Sequence, residues 1–191
     1  MMKGPRLLFM AKPSPEVVAA MWRAVARNGL DNSVLVPKDN WHQTLSDRYD
    51  DTLEMRQKML RAGAGVQAQA CTLVLNRIRD QVNKDQGEDT IHWAFRARGR
   101  PHCFDALISA VRHALYEEGL ATATGHTPHS TISYWAPTRL GPTRMDPIAW
   151  TLDEILLVVG GNSERYSYET IGRWPLQPAP PDPSSTQLRL F

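Results

Sequence analysis

One order of elements occurs twice in this chain, and it constrains the fold more than any bulk property does. A strand, a helix closed by glycine, a loop, a strand carrying histidine-x-threonine and a further strand follow one another in each half. The first pass opens with Arg6-Leu7-Leu8-Phe9-Met10-Ala11, an apolar run that reads as a buried strand. Ser14 is placed to cap a helix, with Pro15 at its first position and Glu16 behind it. Val18, Met21, Trp22 and Val25 then recur at helical spacing, and Gly29 is placed to end the helix. The second pass has a strand at 90–97 and a helix with the apolar stripe Phe104, Leu107, Ile108, Val111 and Leu115, stopped at Gly119. Identity between the halves is low, so the repeat rests on element order.

Further elements are predicted as strands at 34–36 and 41–45, a helix at 52–62, a strand at 66–77, a polar turn at 83–89, and strands at 150–159 and 167–173. The mixture predicts an α+β fold: two pseudo-symmetric lobes with antiparallel sheets flanked by helices and a cleft between them. Residues 1–176 form this bilobal unit, and 177–191, rich in Pro, Ser and Gln, read as a flexible tail.

The repeated motif carries the chemistry. It stands as His42-Gln43-Thr44 and again as His129-Ser130-Thr131. In a strand, residues i and i+2 share a face, so each copy presents one imidazole and one hydroxyl to the same space. Opening a 2′,3′-cyclic phosphate needs a base for water and an acid for the departing ribose oxygen. Histidine suits both roles near neutral pH. Threonine hydroxyls can donate to the non-bridging oxygens where charge develops. One such tripeptide means little; two in matched settings argue for a shared site. The scheme calls for no metal and no cofactor.

Bulk properties bound the substrate. A formal net charge of +2 on 191 residues marks no long duplex-binding groove and suits a small or short phosphorylated substrate. The two cysteines, Cys71 and Cys103, show no metal-type or redox-type spacing, so a reducing cytoplasm is the default. No signal-peptide pattern is evident, and no apolar stretch approaches membrane-spanning length. Among the aromatics beside the motifs, Trp41 reads as core and Tyr134 as the candidate for base stacking, although strand parity sets Tyr134 opposite His129 unless the strand ends there. Arg48 and Arg139 are candidate phosphate contacts, with solvated surface positions the commoner fate. His92, His102, His113 and His126 show no ligand spacing, and His126 reads as a loop residue near enough to influence His129. Cys103 beside His102 lacks the arrangement a thiol nucleophile needs.

These motifs resemble the two-histidine phosphoesterase superfamily, and specifically the bacterial RNA 2′,3′-cyclic phosphodiesterases also called 2′-5′ RNA ligases. The resemblance covers roughly residues 6–176, through Arg6-Leu7-Leu8-Phe9, Val36-Pro37-Lys38-Asp39-Asn40-Trp41-His42-Gln43-Thr44-Leu45, Thr127-Pro128-His129-Ser130-Thr131-Ile132 and the closing 168–176. It implies two α+β lobes with the active site between them. His42 would be the proton donor to the leaving oxygen and His129 the base, with Thr44 and Thr131 holding the phosphate. Substrates would be RNA ends or small cyclic nucleotides, opened to 2′-phosphates. Two departures stand out: Ser46-Asp47-Arg48-Tyr49 replaces an aromatic-Leu-Gly segment, and Ser133 stands where a basic residue is common. The competing readings are a 2′-5′ phosphodiesterase or ligase on other nucleotides, and a non-catalytic RNA-binding or clamp-associated adaptor on the same scaffold.

The chain closes with a second signal. Gln187-Leu188-Arg189-Leu190-Phe191 follows a Pro-rich spacer and resembles the Gln-Leu-x-Leu-Phe pentapeptide by which bacterial proteins dock on the DNA sliding clamp. Gln187, Leu188, Leu190 and Phe191 would be the clamp contacts. The alternative is an apolar terminus folded back on a sheet edge.

Overall fold

The apolar run at 7–11 becomes a strand buried on both faces, and a sheet is built around it. In the computed structural model, residues 4–83, 90–122, 126–141, 143, 145–161 and 167–179 are described. The chain runs β1 (Arg6–Ala11), α1 (Pro15–Arg27), β2 (Gln43–Thr44), β3 (Tyr49–Asp50), α2 (Leu53–Gly65), β4 (Cys71–Asn83), β5 (Thr90–Ala97) and α3 (His102–Glu117). It continues through β6 (His129–Ser133), β7 (Ile148–Leu152), β8 (Glu154–Gly160) and β9 (Tyr168–Pro175). One sheet orders its strands β2-β1-β8-β9, with β3 also on β1; the other orders them β6-β5-β4-β7. Every pairing between these strands is antiparallel.

The repeat is realised as β1-α1-β2 and β5-α3-β6. In each unit the motif strand pairs antiparallel with the strand that opens the unit, Met10 opposing Thr44 and Ala94 opposing Thr131. The strand expected at 41–45 is only Gln43–Thr44, and His42 precedes it. Ser14 caps α1 by accepting the Val17 N–H. Gly29 and Gly119 sit at φ of +61° and +70°, the left-handed turn that lets each helix stop and the chain return. A single core runs through both lobes. Leu7 and Phe9 from β1 join Trp93 and Phe95 from β5, and Trp41 packs on Phe95 with ring centroids 6.2 Å apart. A smaller cluster of Leu8, Met10, Leu156 and Val158, with Tyr168 against it, covers the opposite face of the first sheet.

Four further expectations need correction. Residues 34–36 do not form a strand: Asn32–Val34 is a 3-10 turn, nucleated when Asp31 accepts the Ser33 N–H at 2.8 Å. Val36 instead donates to the Ile132 carbonyl at 2.9 Å. The strand expected at 66–77 starts at Cys71 and runs on to Asn83, with a register shift between Leu75 and Arg77. The shift moves the outer face from exposed Thr72 and Val74 to half-buried Arg77 and exposed Arg79 and Gln81. The stretch 150–159 is two strands divided at Asp153: β7 alternates buried and exposed on the second sheet, while β8 is almost wholly buried within the first. Lastly, the fold extends past 176, because Gln177 donates to the Ala68 carbonyl and accepts the Ala70 N–H.

Cys71 and Cys103 are joined as a disulfide, their Cα atoms 5.3 Å apart, tying the start of β4 to the first turn of α3. A separation of 32 residues hid that proximity from a reading of spacing, and the bond disposes of Cys103 as a free thiol. No helix among the described residues is long and apolar enough to cross a membrane. The pentapeptide at 187–191 lies outside the described residues.

Candidate active site

The two edge strands β2 and β6 meet where the lobes face each other, and both motif histidines enter the same cavity. Its volume is about 290 Å³, and its walls include His42, Thr44, His129 and Thr131. The sequence therefore located four residues that the fold does bring together. A larger cavity of about 680 Å³ lies between α1 and the Lys38 turn, lined by Val18, Trp22 and Lys38, and includes neither motif histidine.

Each histidine is held in the same way. His42 Nδ1 lies 2.6 Å from the Asn40 carbonyl, and His129 Nδ1 lies 2.7 Å from the Thr127 carbonyl. A carbonyl only accepts, so each Nδ1 carries the hydrogen and each Nε2 keeps its lone pair. In both motifs the anchor is the carbonyl two residues before the histidine. That equivalence is what the repeated order produces at the level of a single ring.

Burial dominates the electrostatics. His42 is 6% exposed. Burial pushes its imidazole from 6.5 down to about 4, assisted by Arg48, His129 and Lys12 against the opposing Asn40 bond. Burial likewise lowers His129, with Arg96, His126 and His92 adding to it and the Thr127 bond opposing it. Both rings are thus neutral in the free protein at neutral pH. A phosphodiester anion between them reverses the balance by stabilising a protonated imidazole.

His92 and Arg96 were not singled out from the sequence, whereas His126 was expected near His129. His92 and Arg96 line the same cavity, and so does His126, which stands 3.9 Å from the Asp47 carboxylate. His92, Ala94 and Arg96 occupy alternate positions on β5. The shared strand face of His92 and Arg96 was the signal that could have found those two. Tyr134 lies just past the end of β6 and lines the cavity, its ring edge-on to His92 with centroids 5.2 Å apart. Strand parity does not apply to it, since the strand stops at Ser133. Trp41 is fully buried, as expected. Arg48 reaches the cavity, whereas Arg139 is ion-paired with Asp80. Tyr168 packs edge-on to His42 at 5.1 Å from the far end of the chain, a contact no local pattern announces.

Gln43, the middle residue of the first motif, is fully buried and reaches across to the second motif. Its Oε1 accepts the His129 backbone N–H at 2.7 Å, and its Nε2 donates to the Thr127 carbonyl at 3.2 Å. That same carbonyl anchors the His129 ring. One amide therefore fixes both the backbone and the orientation of the partner histidine. The departing segment after the first motif also bridges the lobes: Tyr49 Oη donates to the Ala121 carbonyl at 2.8 Å.

No protein-family model matches the chain. No curated protein matches it either. Solved structures do. Escherichia coli LigT in its apo form matches with a TM-score of 0.71 at 19% identity, over 92% of this chain and 99% of that one. A crystal structure of a phosphoesterase gives 0.69 at 20% identity over 90% and 98% of the two chains. TT0787 of Thermus thermophilus gives 0.67 at 19% identity over 91% and 98%. E. coli LigT has also been crystallised with 3′-AMP and with phosphate. At such identity the likeness establishes the fold: this chain shares the architecture of LigT nearly end to end.

Proposed function

We propose that this chain is a two-histidine phosphoesterase that opens 2′,3′-cyclic phosphates on RNA ends or nucleotides and leaves a 2′-phosphate. One imidazole takes a proton from water as its oxygen bonds to phosphorus. The bond to the ribose O3′ breaks, and the other imidazole supplies that oxygen with a proton. Thr44 and Thr131 donate hydrogen bonds to the non-bridging oxygens, whose charge grows in the transition state. Acid, base and anion contacts all come from side chains, so the scheme needs no metal.

The observation that carries this reading is the matched pair of carbonyl-locked imidazoles, each with Nε2 available, on one cavity. The resemblance to the two-histidine enzymes makes His42 the acid. Free-state electrostatics favour the reverse, because the deeper burial of His42 makes it the harder ring to protonate. A bound anion touching both rings sets the final distribution of the proton.

The test is product analysis with 2′,3′-cyclic, 3′,5′-cyclic and 2′-5′-linked nucleotides. The expected result is turnover of the 2′,3′-cyclic substrate to the 2′-phosphate, with a loss of about 10³-fold or more in His42→Ala and His129→Ala. Full activity in both variants overturns the assignment.

A further inference from the structure

Beyond the cavity, the cleft face of the second sheet carries cations in cross-strand register. His129 opposes Arg96 on β5, and Arg96 opposes Arg77 on β4; one step along, Thr131 opposes Ala94, which opposes Arg79. Arg96 lines the cavity itself and donates to Thr127 Oγ1 at 3.2 Å and to Gln81 Oε1 at 2.5 Å. Arg77 and Arg79 lie farther out on that face, and among the described residues neither makes an ion pair. The Nε of Arg77 is buried without a hydrogen-bond partner. The one carboxylate on this part of β4, Asp80, points from the alternate face and is taken by Arg139.

Like charges directly opposite each other across two strands are destabilising. The Arg77–Arg96 pair is such an arrangement, and Arg79 adds a third positive charge nearby. Arg77 and Arg79 together depress the Arg96 guanidinium after burial does so. A sheet surface that sets cations against each other and leaves them without acids is a local conflict, and such conflicts mark binding surfaces. A polyanion relieves it.

We propose that Arg77 and Arg79 form a subsite for the phosphates of the nucleotides preceding the 3′-terminal cyclic phosphate, so that the substrate is a single-stranded RNA end. This rests on the reading of His42 and His129 given above. The geometry suits a strand: β4 lies two strand spacings from β6, about 10 Å, and Arg77 and Arg79 are about 7 Å apart along β4. An RNA seated at the histidines therefore crosses Arg96 and reaches Arg77 and Arg79 with its next phosphates. A mononucleotide reaches neither.

The experiment compares kcat/KM for a 2′,3′-cyclic mononucleotide and for a tetranucleotide ending in a 2′,3′-cyclic phosphate, in the parent chain, in Arg79→Gln and in Arg77→Gln/Arg79→Gln. The parent is expected to prefer the tetranucleotide, and the double variant to lower the tetranucleotide-to-mononucleotide ratio by about tenfold. The slope of log KM for the tetranucleotide against log salt is expected to fall by about 1.4, since each single-strand phosphate contact contributes about 0.7. Arg79 is exposed, so the single variant carries the test if the double variant fails to fold, with a smaller drop of the same sign. An unchanged ratio and slope in Arg79→Gln, or a parent indifferent to chain length, overturns the subsite while leaving the histidine site intact. A parent inactive on both substrates refutes the underlying reading instead.

Discussion

Replacing Gln43 with leucine tests whether the motifs act as one site. Gln43 is fully buried, so it meets only protein. Leucine is close to it in volume and leaves little cavity; the change is mainly the loss of three hydrogen bonds, two to the second motif and one from Nε2 to the Thr44 carbonyl at 2.8 Å. The Thr127 carbonyl still receives His129 Nδ1 at 2.7 Å and stays satisfied. The His129 N–H loses the acceptor it had at 2.7 Å, and an unsatisfied buried donor costs about 1–3 kcal/mol. In a chain of this size each kcal/mol lowers Tm by about 2–4 °C.

The effect on catalysis is expected to be larger than the effect on stability. Gln43 fixes the carbonyl that orients His129, and misplacing a catalytic group by about 1 Å can cost about 10²-fold. Gln43→Leu should therefore lower kcat on a 2′,3′-cyclic nucleotide by about 10- to 100-fold, with KM changed much less. Gln43→Glu separates position from packing. Its carboxyl keeps an acceptor for the His129 N–H, and while protonated it can also donate to the Thr127 carbonyl. Burial raises the pKa of that carboxyl above its ordinary value, so the variant resembles the parent at acid pH. It loses stability as pH rises through the unfolded value of about 4.3 toward the raised folded one. A Gln43→Leu protein with kcat within twofold of the parent would refute the idea that this amide positions His129.

Two further outcomes follow from the same cleft. His42 titrates near 4 in the fold against 6.5 ordinarily, so below 6.5 the unfolded chain binds a proton that the folded chain refuses. Its share of stability is full above pH 6.5 and is lost as pH falls toward 4. The loss comes to about 3 kcal/mol, since each tenfold difference in proton affinity between the two states is worth about 1.36 kcal/mol. Chemical denaturation of the parent and of His42→Gln at pH 7 and pH 4.5 should show the steeper loss in the parent; equal losses would contradict the burial argument. Tyr134→Ala should raise KM for cyclic nucleotides by about tenfold while largely sparing kcat, as expected for an aromatic that stacks on a base. A fall in kcat at constant KM would place Tyr134 in support of His92 instead.

The sequence disclosed what is local and repeated. The first helix was legible because a cap, a 3.6-residue stripe and a terminal glycine agree from Ser14 to Gly29, and the third because its apolar stripe ends at Gly119. The motif residues were legible because strand parity ties each histidine to its threonine without knowledge of the neighbouring strand. Features that depend on tertiary pairing were hidden. Asp153 separates two runs of similar composition, and only the partner strands decide that one belongs to each sheet. Residues 34–36 have strand-like composition and Val36 does bond to Ile132 of β6, yet the Asp31 turn claims Val34 and no ladder forms. His92 and Tyr168 reach the site from β5 and β9, far from either motif in sequence.

Gln43 shows most clearly how much of the site lies between the copies of the repeat. Parity turns it away from His42, and a reading of one strand consigns such a residue to the core. It is in the core, but the core at that point is the other motif's backbone. The edge strands β2 and β6 meet, and the inward residue of β2 faces the backbone at the start of β6. The second copy places Ser130 at the equivalent position, and its buried hydroxyl has no hydrogen-bond partner. The bridge therefore runs one way, from the first motif to the second. Such an asymmetry gives two similar histidines different environments, and two different environments suit the acid and base roles proposed for them.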